Sequence, residues 1–248
     1  MTTDFPKTHS PVWAPDIFKD KVVFCTGGAG TICSVQVAAL VQLGANATIL
    51  GRRAAHTAEV AAKIALVRPG AKVLGLSVDV RSPPSLADAV AKTLEAFGRI
   101  DYVICGAAGN FLASIDQLSE NAFKSVMDID VLGSYNTVKA CLPALKASKG
   151  RVIFVSATLH YTGSPFQAHV SAAKAAVDAL SQVLAVEMGP WGITSNVCFP
   201  PKPNPLLPTY GGYFPTSKYA DGDRSSRRVP SRVPRGCCGS PTSVKQKP

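Results

Sequence analysis

Between Lys21 and Cys198, short apolar runs alternate with longer stretches whose apolar residues recur every three or four positions. The short runs are Lys21–Thr26, Ala47–Leu50, Val73–Ser77, Tyr102–Cys105, Val152–Val155 and Thr194–Cys198. They are apolar and rich in β-branched residues, and they read as strands buried on both faces. The longer stretches are Ile32–Leu43, Ala54–Leu66, Ser85–Phe97, Asn121–Lys146 and Gln167–Met188, and they read as helices. Pro83 and Pro84 stand where a helix opens, and Gly98 stands where it closes. Strand and helix in regular alternation predict an α/β fold, a Rossmann-type doubly wound parallel sheet.

The alternation stops after Cys198. Residues 200–248 contain PPKPNPLLP and SSRRVPSRVPRGCCGSP, with no apolar period. Such composition predicts a disordered tail. The expected organisation is an N-terminal extension over 1–17, a nucleotide-binding domain over 18–200, and a Pro/Arg/Ser-rich tail over 201–248.

Composition changes this picture in two places. Hydrophobic residues are 46% and charged residues 17% of the chain, which suits a packed core. No apolar run reaches the ~18 residues that span a bilayer, and the first residues lack a secretory profile. A soluble, intracellular protein with no membrane insertion is therefore expected. The net charge of +10 invites a nucleic-acid reading, yet residues 202–248 carry +7 of it. With so little basic excess on the predicted domain, no nucleic-acid partner is expected. Seven cysteines lie scattered without zinc-ligand spacing, mostly in apolar runs, and read as structural thiols.

Four segments carry candidate chemistry, each at the end of a predicted strand. TGGAGTIC, Thr26 to Cys33, joins the first strand to the first helix. Its glycines allow a tight turn and close approach to a pyrophosphate, and the helix start offers free N–H groups. Gly27, Gly28, Ala29, Gly30, Thr31 and Ile32 are the candidate contacts. Arg52 and Arg53 follow the second strand, where an acidic residue would bind a ribose 2′-OH. Arginines there instead suit a 2′-phosphate and so NADPH; the alternative is two solvated loop arginines. Asp79, after the third strand, can accept from an adenine amino group or cap the next helix. CGAAGN, Cys105 to Asn110, leaves room over the carboxyl edge of the sheet.

Together these segments resemble the short-chain dehydrogenase/reductase family from about Phe18 to Pro200. That family uses a Ser, a Tyr and a Lys in a YxxxK pattern, with an Asn on a neighbouring helix. Lys174, in HVSAAKAAVDAL, matches the Lys. The Tyr position holds Val170, the Ser position Ala157, flanked by Ser156 and Thr158, and the Asn position Asp130. Without the phenol, ordinary alcohol and ketone chemistry loses its proton donor. The 2,4-dienoyl-CoA reductases, particularly the peroxisomal type, are a branch that lacks the Tyr. AAGNF, NAFKSVMDID, SATLHYTG and the stretch from His169 to Leu180 look like that branch.

The resemblance implies an NADPH-dependent oxidoreductase that reduces 2,4-dienoyl-CoA to 3-enoyl-CoA in β-oxidation of unsaturated fatty acids. Asp130 and Lys174 would be catalytic, with Lys174 also holding the nicotinamide ribose. For Asp130, the alternative is an acid on a helix surface. Arg81, Phe111 and Ser119 match positions that contact acyl-CoA, though solvated or packing roles are equally open to them. His169, beside the vacant Tyr position and a helix start, reads first as structural and second as a proton relay. The family would place the protein in the peroxisome; otherwise the cytoplasm is expected.

The chain departs from the family's pattern twice. Thr31 and Cys33 occupy glycine positions of the turn, where their side chains are expected to crowd the pyrophosphate or the helix–strand contact. After Pro200 the family continues into substrate-lid helices and a last strand, and with that C-terminus a homo-oligomer is implied. The Pro-rich tail matches none of this, and the chain's KQKP ending is no peroxisomal tripeptide. The fold is therefore expected to lack the last strand and lid. An inactive NADPH-binding remnant and another kind of short-chain reductase are the alternative functions.

Overall fold

The computed structural model describes Phe5, Ser10 and residues 12–200. Six strands form one sheet: β1 Val22–Thr26, β2 Asn46–Gly51, β3 Val73–Ser77, β4 Tyr102–Cys105, β5 Arg151–Val155 and β6 Thr194–Cys198. Their order is β3-β2-β1-β4-β5-β6, and every pairing is parallel. This is the doubly wound sheet that the alternation predicts. The order reverses between β1 and β4, so a crevice opens beyond their carboxyl ends, where ligands of such sheets bind. The expected missing strand and lid, and the predicted tail, fall outside the described residues.

All five residues of β1 are buried because helices cover both faces. Val23 and Cys25 join Ile49, Val37 and Ile64 on the side of α1 (Thr31–Gln42) and α2 (Ala54–Ala65). Phe24 joins Phe154, Leu86, Leu145 and Val177 on the other side. There pack α3 (Pro83–Phe97), α5 (Gly133–Ser148) and α7 (Ala168–Met188). Four cysteines, Cys25, Cys33, Cys105 and Cys141, are buried free thiols, as their apolar settings suggested, and Cys198 is free and half-buried.

Local signals set the helix ends. The Ser82 hydroxyl accepts from the Ser85 N–H at the start of α3, prolines fill its first turn, and Gly98 closes it with φ +75°. The stretch predicted as one helix over Asn121–Lys146 runs from Glu120 to Ser148 but changes pitch midway. Between α4 (Glu120–Val126) and α5, Met127–Leu132 forms a π-helical segment. Periodicity does not register one wider turn, and such turns often mark functional sites. The four-residue α6 (Leu159–Thr162), after β5, is too short to show a period.

Candidate active site

The turn after β1 is built around missing side chains. Gly27 has φ +66°, and a Cβ there would lie 2.5 Å from the Gly106 carbonyl oxygen. A Cβ on Gly28 would meet the Ile49 side chain at 2.6 Å. The Gly30 N–H closes the turn on the Gly27 carbonyl at 2.8 Å, and Gly30 offers the first turn of α1 no side-chain cap. Thr31 and Ile32 begin that helix with their N–H groups at its positive end. Ala29 is tied from outside, because His56 Nε2 lies 3.2 Å from its carbonyl oxygen. These features fit a dinucleotide pyrophosphate.

Of the two expected sources of crowding, neither closes the turn. Thr31 is exposed. Cys33 is buried, but its sulfur occupies the space that a Cβ on Gly106 would need. The glycine lost from the helix is thus matched by a glycine on the facing loop.

Charged groups line the edge beyond β2 and β3. Arg52 and Arg53 are exposed just after Gly51. Asp79 and Arg81 bind each other: the guanidinium Nε donates to both carboxylate oxygens at 3.0 and 3.1 Å, and Nη2 donates at 2.6 Å. These bonds hold the Asp79 carboxyl down at about 2, with a smaller contribution from the Arg52 charge. One candidate for the cofactor and one for the acyl-CoA are therefore partners. Ser119 caps α4, its hydroxyl accepting from the Ala122 N–H at 3.2 Å.

Beyond β4 and β5 the polar groups are buried. Asp130, on the π-helical segment, is 1% exposed, which removes the alternative of a surface acid. Its Oδ1 accepts from the Gly109 N–H at 2.7 Å, and its Oδ2 lies 3.0 Å from Lys174 Nζ. That ion pair leaves Oδ2 without an aligned hydrogen bond. Lys174, 8% exposed, donates to the Val155 carbonyl at 3.1 Å. Burial raises the Asp130 carboxyl above the usual range, against the opposing pull of Lys174 and the Gly109 N–H. Val170 is buried in an apolar cluster with Val126 and Ala173, so no phenol is supplied there.

His169 and Phe111 also meet here. His169 is fully buried, its Nε2 lies 3.1 Å from the Phe111 carbonyl oxygen, and the two rings stack with centroids 4.1 Å apart. Phe111 remains 39% exposed at the mouth. Sequence reasoning placed both residues but not their contact. It also missed the Val155 carbonyl, the Gly109 N–H and His56. Backbone atoms carry no residue signature, and His56 sits four positions past Arg52 in a segment read only as helix.

Comparison with known proteins agrees with this fold. Residues 21–204 match the short chain dehydrogenase family. The chain is 58% identical over 190 residues to the peroxisomal 2,4-dienoyl-CoA reductase, (3E)-enoyl-CoA-producing, of Saccharomyces cerevisiae. That match covers 76% of this chain and 65% of the yeast protein, so the chain spans just under two thirds of that relative's length. It is 41% identical over 190 residues to the Rattus norvegicus protein of the same description, with 76% and 65% covered. A crystal structure of a short chain dehydrogenase from Bacillus anthracis superposes with TM-score 0.70 at 34% identity, covering 74% of this chain and 76% of that one.

Proposed function

The chain belongs to the short chain dehydrogenase family, and from that premise we propose that it is an NADPH-dependent 2,4-dienoyl-CoA reductase. In this reading residues 18–200 carry the nucleotide-binding unit, the product is a 3-enoyl-CoA, and the setting is peroxisomal β-oxidation of unsaturated fatty acids. One observation carries it: a buried Asp130–Lys174 pair stands where the Tyr position holds only the apolar, buried Val170. The names of the yeast and rat relatives support the same substrate.

NADPH, when bound, supplies the hydride. That hydride would add to the δ-carbon of the conjugated thioester, with the electron pair moving through the diene onto the thioester oxygen. No alkoxide forms, so no phenol is required. Reaction is completed by one proton added at the α-carbon, which leaves the remaining double bond between the β- and γ-carbons. Asp130, whose carboxyl burial shifts toward the protonated form, is placed to pass that proton to the substrate or to a water beside it. Lys174, anchored by Val155, binds the nicotinamide ribose and fixes Asp130. The glycine turn would cradle the pyrophosphate, Arg52 and Arg53 would pair with the 2′-phosphate, and Asp79 would take the adenine amino group. Phe111 and Ser119 line the acyl-CoA side, and Arg81 reaches a CoA phosphate in exchange with Asp79.

The test is NADPH oxidation followed in the presence of a 2,4-dienoyl-CoA, with product analysis. A 3-enoyl-CoA is expected. No turnover of the dienoyl-CoA by correctly folded protein, or reduction of a ketone instead, would refute the proposal.

A further inference from the structure

His169 is the largest buried titratable group that the proposed chemistry leaves unused. A carbonyl oxygen can only accept, so the 3.1 Å contact with Phe111 places the imidazole proton on Nε2. Burial pushes the imidazole below its ordinary range, which favours the neutral ring. Nδ1 has no partner among the described residues. A relay would use both nitrogens; here one is committed to a backbone oxygen.

The segment His169 holds is tied at alternate residues. The Gly109 N–H goes to Asp130, the Phe111 carbonyl to His169, and the Ala113 N–H to the Phe166 carbonyl at 3.2 Å. The last partner is itself strained: Phe166 has φ +62°, a region that bulky L-residues seldom occupy. Phe111, Leu112 and Phe166 remain exposed although the Phe111 and Phe166 carbonyls are both bonded. Pinned backbone with apolar side chains facing out describes a wall prepared for an apolar ligand. His169 is the one tie that also stacks on a side chain of that wall.

We infer that His169 is a positioning residue, whose Nε2–H bond and ring stack set Phe111 and its loop as the apolar wall against which the dienoyl chain lies. The inference rests on the function proposed above. It assigns His169 to substrate placement and not to proton transfer.

Three full-length variants test it. His169→Gln can present an amide N–H near the Nε2 position, whereas His169→Asn is too short and His169→Leu has no donor. Leu and Asn are expected to raise KM for the dienoyl-CoA roughly threefold to tenfold, the worth of one neutral hydrogen bond. NADPH affinity should hold, kcat should change less than KM, and Gln should recover most of the loss. Backbone hydrogen exchange over residues 109–113 should quicken in Leu and Asn but not in Gln. A loss in kcat with unchanged KM, unrescued by Gln, would overturn the inference in favour of a relay. Unchanged exchange in all three variants would overturn it as well. If the wild-type protein turns over no dienoyl-CoA, the functional proposal fails by itself, and the exchange measurement still decides whether His169 holds the loop. Asn guards against a Leu variant that fails to fold.

Discussion

The two halves of the sheet edge bind by different means. Beyond β1, β2 and β3 lie a glycine-rich turn and the charges of Arg52, Arg53, Asp79 and Arg81, close in sequence to the strands they follow. Beyond β4 and β5 lie Asp130, Lys174 and His169, buried and gathered from two distant segments, the π-helical turn and α7. In the first half solvent screens the charges, so even the Asp79–Arg81 pair lends little stability. In the second, low polarity makes each group depend on its partners, and burial tunes a carboxyl toward holding a proton. In the proposed function the first half recognises the cofactor and the second carries the chemistry.

The sharpest break in that contrast would come from the buried half. Asp130→Ala is expected to lower turnover about 100-fold or more while leaving NADPH affinity nearly unchanged, as measured by steady-state rates beside cofactor titration. Unchanged turnover would remove Asp130 from the mechanism. Its raised pKa gives a signed pH effect. The protonated form prevails below that pKa, so kcat should fall as pH rises through it, and Asp130→Asn should abolish that descending limb.

The exposed half should respond in affinity alone. Replacing Arg52 and Arg53 together by Gln removes charge-assisted contacts worth about 1.5–3 kcal/mol, roughly ten- to hundredfold in NADPH binding. NADH binding should be unaffected, and equal losses for both cofactors would break the 2′-phosphate assignment. Gly27→Ala should cost about 1–3 kcal/mol through the left-handed backbone, and more through the clash with the Gly106 carbonyl. Thermal denaturation and NADPH titration would read both.

The smallest effect is expected at Asp79. Its carboxyl is lowered to about 2 from an ordinary ~3.9. The stability it lends is thus complete above the ordinary value and is lost as pH falls through the lowered one. Because the pair is exposed, Asp79→Asn should scarcely move the melting temperature at pH 7. A large drop there would mean that the exposed edge is not made of independent groups.

The strands and the capped α3 could be read from the chain because periodicity, Pro83, Pro84 and Gly98 act within a few residues. The glycine turn and the arginines after β2 were legible for the same reason, since the backbone and its end-of-strand position define them. What the sequence determined by itself was therefore the alternation, the glycine turn and the residue types available for chemistry. Only the tertiary structure decided that Cys33 could replace a glycine, because Gly106 yields the space across the turn. It alone set the π-helical segment that carries Asp130, the Val155 carbonyl that anchors Lys174, and the Phe111 carbonyl that claims His169. The physical reason is common to all of these. Such partners are backbone atoms and empty volumes from distant segments, which leave no pattern in the chain until the sheet brings them together.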